Sequence, residues 1–352
     1  MRIGMAAICQ NPFDERSDAD VYVNELRLAS LAEPLGFDSL WSVEHHFTDY
    51  TMVPDVLQFL SYFAGRTQRV QLGSMVVVLP WHDPMRAAEE ISLIDHLCGG
   101  RYILGIGRGA GRVEFEGFRI DMGESRERFV EAAQIVLGGL ESGHCELDGK
   151  FYKQPKKAIR PKPLRSFKGR TYAAAVSPES ARIMAELGIG ILVIPQKPWD
   201  VIDAELAMYR KIYREVNGAD APKPIIAGWV FCDADEKRAR EQAVRWIGGY
   251  WESAQRHYEF GGEHFAKTKG YEFYAAMSEA QRMSANQATE AYLDLQVWGT
   301  PAMCLDRIRK TGDRMGSEHF SCVFSYAGMP YAEAERNLRQ FASEVMPKLQ
   351  RE

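Results

Sequence analysis

A chain of 352 residues, 46% hydrophobic and 26% charged, has the composition of a globular protein and enough length to bury a large core. A formal net charge of −5 leaves no basic excess for a nucleic-acid partner, and no apolar run reaches the length needed to span a membrane. The start, Met1-Arg2-Ile3-Gly4-Met5, enters a strand pattern without a secretory leader, and the six cysteines form no Cys-x-x-Cys pair; they read as buried small hydrophobes of a reducing cytoplasm.

Residues 1–8 form an apolar first strand. Residues 20–35 show helical spacing (Val21, Leu26, Leu28, Leu31, Leu35), with Gly36 as the stop. Strand two covers 39–43, and a helix follows at 54–65. Residues 70–79 are valine-rich without polar alternation, as expected of a third strand covered on both faces. Asp83 and Pro84 open a helix to Leu97. Strand four, 102–106, runs into Gly105-Ile106-Gly107-Arg108-Gly109-Ala110-Gly111, with a helix at 125–140. The connection 141–163 holds a small hairpin near 145–151. Strands five to eight fall at 172–176, 189–194, 225–231 and 320–324. Their helices start at Ser177-Pro178, span 200–216 and 233–251, start at Thr300-Pro301, and span 331–346. The rhythm breaks over roughly 261–290, where Gly261-Gly262 and the aromatics Phe265, Tyr271, Phe273 and Tyr274 read as an excursion over the barrel mouth. Eight strand–helix alternations predict an α/β fold: one (β/α)8 TIM barrel domain over residues 1–352, with the insertion after strand seven acting as a lid.

Chemistry in such a barrel sits where strands end. Strand two ends in Glu44-His45-His46. Successive side chains alternate, so one histidine faces a ligand and the other bonds into the wall; His45 and Glu44 are the catalytic candidates. The run lacks the i, i+4 spacing of a helical zinc site, and His82 is the only further imidazole nearby, so no metal is expected. The glycine run formally fits GxGxx(G/A), but the chain continues through Arg112-Val113-Glu114-Phe115 with no tight helix expected. It reads better as backbone passing close to a flat ligand, with Arg108 offering a fork to a phosphate. Ser177-Pro178-Glu179-Ser180 opens a helix whose N–H groups and hydroxyls suit an anion, and Arg126 is placed to reach it. Trp41, Trp81, Trp229, Trp251 and Met75 are candidates for an apolar mouth.

Five stretches carry a resemblance: Glu44-His45-His46-Phe47-Thr48, Leu79-Pro80-Trp81-His82-Asp83-Pro84-Met85-Arg86, Gly105-Ile106-Gly107-Arg108-Gly109, Trp251 within Gly248-Gly249-Tyr250-Trp251-Glu252, and Gly299-Thr300-Pro301. On these the chain resembles the bacterial luciferase-like flavin monooxygenases, nearest the luciferase α-subunit branch, from Met1 to the final helix. The resemblance implies a TIM barrel with a mobile excursion after strand seven. It also implies a homodimer through the early helices, with Phe59, Tyr62, Phe63, Ile91 and Ile94 as interface candidates. The cofactor it implies is reduced FMN; because no NAD(P)H fingerprint stands up in the sequence, a separate NAD(P)H:flavin reductase is expected to supply it. With O2 the reduced FMN forms a C4a-(hydro)peroxyflavin that oxidises a small apolar organic substrate such as an aldehyde or ketone. By the same resemblance the ring lies over a non-proline cis peptide at Ser74-Met75, with Gly107 at the flavin and Val176 beside the phosphate site. The phosphate is met by Arg108, Arg126, Ser177 and Ser180. His45 is the catalytic histidine, and Trp251 borders the substrate; Trp81 and Trp229, from the apolar mouth, are the other substrate-pocket candidates.

The chain departs from the luciferase pattern at Gly107, where that pattern has cysteine, and at Val176, where it has glutamate. The excursion also lacks the lid's lysines, so a dark monooxygenase is expected rather than a light emitter. Two other readings use the same scaffold: an F420-dependent dehydrogenase, and a flavin-binding accessory protein without turnover.

Overall fold

The computed structural model describes residues 1–174, 178–260, 262–271 and 285–351. Eight parallel strands close on themselves: Arg2–Ala7, Ser39–Ser42, Gln71–Ser74, Tyr102–Gly107, Thr171–Ala174, Gly190–Val193, Ile225–Cys232 and His319–Val323. Each pairs with the next in sequence, and the eighth returns to the first, with Arg2 opposite His319 and Ala6 opposite Val323. With helices around it this is the expected (β/α)8 barrel. No described helix is long and apolar enough to cross a membrane, and all six cysteines are buried free thiols.

Small residues make room for a large one inside the barrel. The Trp41 ring is fully buried there, and a Cβ on Gly73 would lie 2.3 Å from it. A Cβ on Gly4 would lie 2.9 Å from Trp41 Nε1. Ser39 Oγ accepts from that indole N–H at 2.7 Å and lies 2.8 Å from His319 Nε2. Burial brings the His319 imidazole down to about 4, so it stays neutral here. Trp41 is therefore part of the barrel core and not of its mouth.

Several elements differ from the sequence expectation. The third strand is not continuous over 70–79. It stops at Ser74, passes a cis peptide between Met75 and Val76, resumes at Val77–Val78 and ends in a 3-10 turn, Leu79–Trp81. The non-proline cis bond thus lies one residue beyond Ser74-Met75. The break sits where strand four comes close: a Cβ on Gly105 would be 2.0 Å from the Ser74 carbonyl oxygen. The first helix divides into Asp18–Ala29 and Ala32–Leu35, before Gly36 at φ 95°. A helix, Arg112–Phe118, follows the glycine run, where a loop was expected. The helix after strand seven runs over Glu236–Tyr258, well past Trp251. A short strand, Val297–Gly299, adds to strand seven, and the hairpin forms from His144–Asp148 and Lys153–Ala158.

Of the expected interface residues, Phe59, Phe63, Ile91 and Ile94 are buried in the core, because the two early helices turn those faces to the barrel. Tyr62 stays exposed, and so do Leu93 and Leu97. Within the 261–290 insertion the described pieces are His264–Lys267, the stretch on to Tyr271, and the helix Ala285–Asp294. The rest of the expected lid, with Gly261, Phe273 and Tyr274, lies outside the described residues, as do Val176 and Ser177.

Candidate active site

The C-terminal ends of the strands open onto a cavity of about 1450 Å3, counting its open mouth. His45, Met75, Gly107, Arg108, Arg126, Ser180, Trp81 and Trp229 line it, together with an apolar wall that includes Val76, Val78, Leu192 and Ile194.

Beyond strand two, Glu44 and His46 meet each other while His45 turns to Glu114. Glu44 also borders the cavity, but both of its oxygens are taken. Oε1 lies 2.7 Å from His82 Nε2 and 3.3 Å from His46 Nε2, and Oε2 accepts from the Val78 N–H at 2.9 Å. Burial alone would raise this carboxyl, but the hydrogen bonds from His46 and His82 outweigh it and hold the group below its ordinary value. Glu44 thus clamps the rebuilt end of strand three to the strand-two loop, with both carboxylate oxygens engaged in that clamp. His46 is the wall histidine, edge-on to Trp81 and Phe118 with ring centroids at 5.2 and 4.6 Å.

His45 faces the cavity. Its Nδ1 lies 2.9 Å from Glu114 Oε1, and its Nε2 lies 3.3 Å from the Tyr258 hydroxyl. Glu114 has no exposed side-chain surface. Its Oε1 also accepts from the His46 N–H at 3.0 Å, and its Oε2 sits 3.5 Å from His257 Nε2. Burial would push Glu114 up; the His45 charge and the hydrogen bonds of His257 and His45 overcome that and bring it to about 2. His257 is lowered, chiefly by burial, and its Nδ1 meets Thr48 Oγ1 at 2.9 Å. The sequence reading missed Glu114 and His257, since one was assigned to a loop and the other lay beyond the expected end of its helix. The donor atoms of His45, Glu114 and His257 lie within 4.8 Å of one another, a cluster of metal-binding types that the sequence did not reveal.

At the other side of the cavity two guanidiniums converge. Arg108 Nη1 and Arg126 Nη2 both donate to the Gly270 carbonyl, at 2.9 and 3.1 Å. Arg108 also lies over the Tyr271 ring at 4.0 Å, and Arg126 Nη1 pairs with Glu179 at 2.5 Å. Ser180, on the helix Pro178–Glu186, lines the same end of the cavity. Gly107 is glycine for a local reason: a Cβ there would come 2.3 Å from Val76 Cγ2.

Two of the expected site residues, Ser74 and Trp251, do not line the cavity. Ser74 Oγ accepts from the Gly105 N–H and the Tyr102 hydroxyl and donates to the Gly105 carbonyl, so its hydroxyl serves strand four instead of the cavity. Trp251 does not line the cavity. It stacks on Tyr292 of the helix Ala285–Asp294, with centroids at 4.5 Å and planes at 12°, behind the wall.

The family profile described as luciferase-like monooxygenase matches residues 1–319. The chain belongs to this family. Among curated relatives, the alkanal monooxygenase alpha chain of Photorhabdus luminescens is 25% identical over 357 residues, covering 99% of this chain and 98% of that one. The monooxygenase RslO1 from Streptomyces bottropensis superimposes with a TM-score of 0.82 at 26% identity, over 99% of both chains. The oxygenating constituent of 3,6-diketocamphane monooxygenase from Pseudomonas putida, a type II Baeyer–Villiger monooxygenase in complex with FMN, shares the fold with a TM-score of 0.74 at 19% identity, over 99% of this chain and 98% of that one.

Proposed function

We propose that this luciferase-like monooxygenase is an FMN-dependent oxygenase. It uses reduced FMN and O2 to oxidise a small apolar organic substrate, an aldehyde, ketone or similar compound. The observation that carries the reading is one cavity with an imidazole at one side, His45, and two converging guanidiniums at the other, Arg108 and Arg126.

The residues present fit FMN. Arg126 Nε is buried with no partner among the described residues. Among the same residues no carboxylate pairs with Arg108, which meets the neutral Gly270 carbonyl and the face of the Tyr271 ring. A phosphate satisfies such a donor set better than a carbonyl does. Between the charged end and His45 the walls are apolar, and Gly107 adds no side chain, which suits a flat ring.

Bound reduced FMN supplies the two electrons with which one oxygen atom of O2 enters the substrate and the other leaves as water. The chain's own contribution is positional and protic. Arg108, Arg126 and Ser180 hold the phosphate end. The apolar wall of Met75, Val76 and Val78 keeps water from the ring. His45 holds or moves a proton at Nε2, beside the Tyr258 hydroxyl. Trp81 and Trp229 border the substrate, and each has an indole N–H without a partner among the described residues, suited to a carbonyl acceptor. The reductase that supplies reduced FMN is a separate protein in this proposal, the assembly is a homodimer and the compartment is the cytoplasm.

The test is to mix photoreduced FMN with the protein, labelled oxygen and a panel of aldehydes and ketones. The expected result is one atom of label per product molecule. Unlabelled product, or tight binding of F420 with hydride transfer indifferent to O2, overturns the proposal in favour of a dehydrogenase. Replacing His45 by Ala is expected to remove turnover while FMN affinity is retained.

A further inference from the structure

His45 stands on a three-part support drawn from separate elements. His45 lies on the loop after strand two, Glu114 on the helix Arg112–Phe118, and His257 in the last turn of the helix Glu236–Tyr258. The two helices are joined a second time next to this point, where Arg112 Nε and Nη2 each donate to a Glu259 oxygen at 2.8 Å. A Cβ on Gly111 would meet Glu114 Oε2 at 2.4 Å and His257 Nε2 at 3.0 Å, so a glycine lets the carboxylate and the second imidazole approach each other.

We propose that Glu114 is a positioning residue that keeps the His45 proton on Nδ1, leaving Nε2 as the nitrogen that serves the cavity, and that His257 holds the carboxylate in place for this. The inference rests on the reading of His45 as the proton-handling group of the site.

The chemistry follows from which atoms can give and which can only accept. An ionised carboxylate only accepts, so the 2.9 Å contact from His45 Nδ1 to Glu114 Oε1 requires the hydrogen on Nδ1. The Oε1 position is fixed from a second side by the His46 N–H, and Oε2 faces His257 Nε2. Thr48 can donate its hydroxyl hydrogen to His257 Nδ1, which leaves the hydrogen on Nε2, 3.5 Å from Glu114 Oε2. The low value of Glu114 and the lowered His257 agree with one ionised carboxylate between two imidazoles, of which the buried one stays neutral. In neutral His45, Nε2 then carries a lone pair toward the Tyr258 hydroxyl and the cavity. The logic is that of a carboxylate orienting a histidine so that its far nitrogen works.

The test uses the full-length, cofactor-free protein labelled with nitrogen-15 histidine, and reads the His45 tautomer from long-range proton–nitrogen spectra. His45→Gln identifies the His45 signals. Neutral His45 is expected as the Nδ1–H form. Glu114→Leu is expected to move the tautomer ratio at least tenfold toward Nε2–H, in line with a lost hydrogen bond to a charged group. Glu114→Gln keeps an accepting oxygen and is expected to restore Nδ1–H. Thr48→Val, a milder change, and His257→Phe are both expected to weaken the preference.

An Nε2–H tautomer in the unmodified protein, or a ratio untouched by Glu114→Leu in a protein that melts cooperatively, overturns the proposal. So does saturable uptake of one equivalent of zinc that shifts both His45 and His257, which would make the cluster a cation site. Because no flavin is present, these outcomes stand apart from the labelled-oxygen result. With FMN and O2 active, Glu114→Leu is expected to lower kcat roughly a hundredfold or more while FMN affinity is retained.

Discussion

Arg108 and Arg126 donate to the same carbonyl oxygen, and their worth to a ligand lies in its charge. Arg108→Ala is expected to weaken FMN by roughly 10- to 100-fold, the size of a lost charge-assisted hydrogen bond, and to leave riboflavin, which lacks the phosphate, nearly unchanged. Fluorescence titration of both flavins checks this; equal losses would mean that Arg108 does not meet the phosphate. Gly107 makes a second residue-scale prediction. Val76 Cγ2 would lie 2.3 Å from an added Cβ, so Gly107→Ala is expected to destabilise the fold by about 1–3 kcal/mol, as overpacking does. Val76→Ala in the same chain is expected to return most of that loss, read from denaturant unfolding. The pair also gives a steric reason why this chain carries no cysteine at 107.

Among the elements, the helix Asp18–Ala29 buries a carboxyl, Glu25, which accepts from Ser325 Oγ beyond the eighth strand. Burial raises Glu25 to about 7 from 4.5, against the opposing effects of Ser325, the Arg16 charge and a Cys9 backbone hydrogen bond. Between those values the folded chain holds a proton that the unfolded chain has released. The stability tied to this group is therefore fully present below pH 4.5 and is lost as pH rises through about 7. Glu25→Gln is expected to remove that slope and to gain on the order of 3 kcal/mol over the parent at pH 8, relative to their difference at pH 4. Urea unfolding at the two pH values reads it.

Element boundaries also explain what the sequence disclosed. The barrel strands were legible because parallel strands covered on both faces leave unbroken apolar runs such as Val70–Leu79 and Ile225–Phe231. The helix Arg112–Phe118 was not legible. Its N-cap is Gly111, with no side-chain cap bond, so nothing marked its start, and Glu114 was hidden with it. The helix Glu236–Tyr258 ends at Glu259 in the left-handed region, not at a glycine, so no stop signal separated Trp251 from His257. His45, Arg108 and Arg126 were legible as cavity-lining residues because they follow strand ends or sit on the next helix. The partner that orients His45 was missed because it depends on where two helices meet.

For the whole molecule, the burial of Phe59, Phe63, Ile91 and Ile94 leaves Tyr62, Leu93 and Leu97 as the large apolar groups exposed on the two early helices. The proposed homodimer uses this face. Leu93→Glu with Leu97→Glu is expected to shift the sedimenting species to the monomer without changing the barrel's circular dichroism; an unchanged dimer would place its interface elsewhere.

The Gly270 carbonyl has a consequence for the molecule as a whole. The insertion's own main chain already sits in the grip of both guanidiniums. Any anion that takes those donors evicts a tenant, so its apparent affinity is the difference between two attachments. By thermodynamic linkage the traffic runs both ways: whatever loosens the seat of residues 262–271 sharpens the hold on the incoming charge, and whatever fastens that seat blunts it.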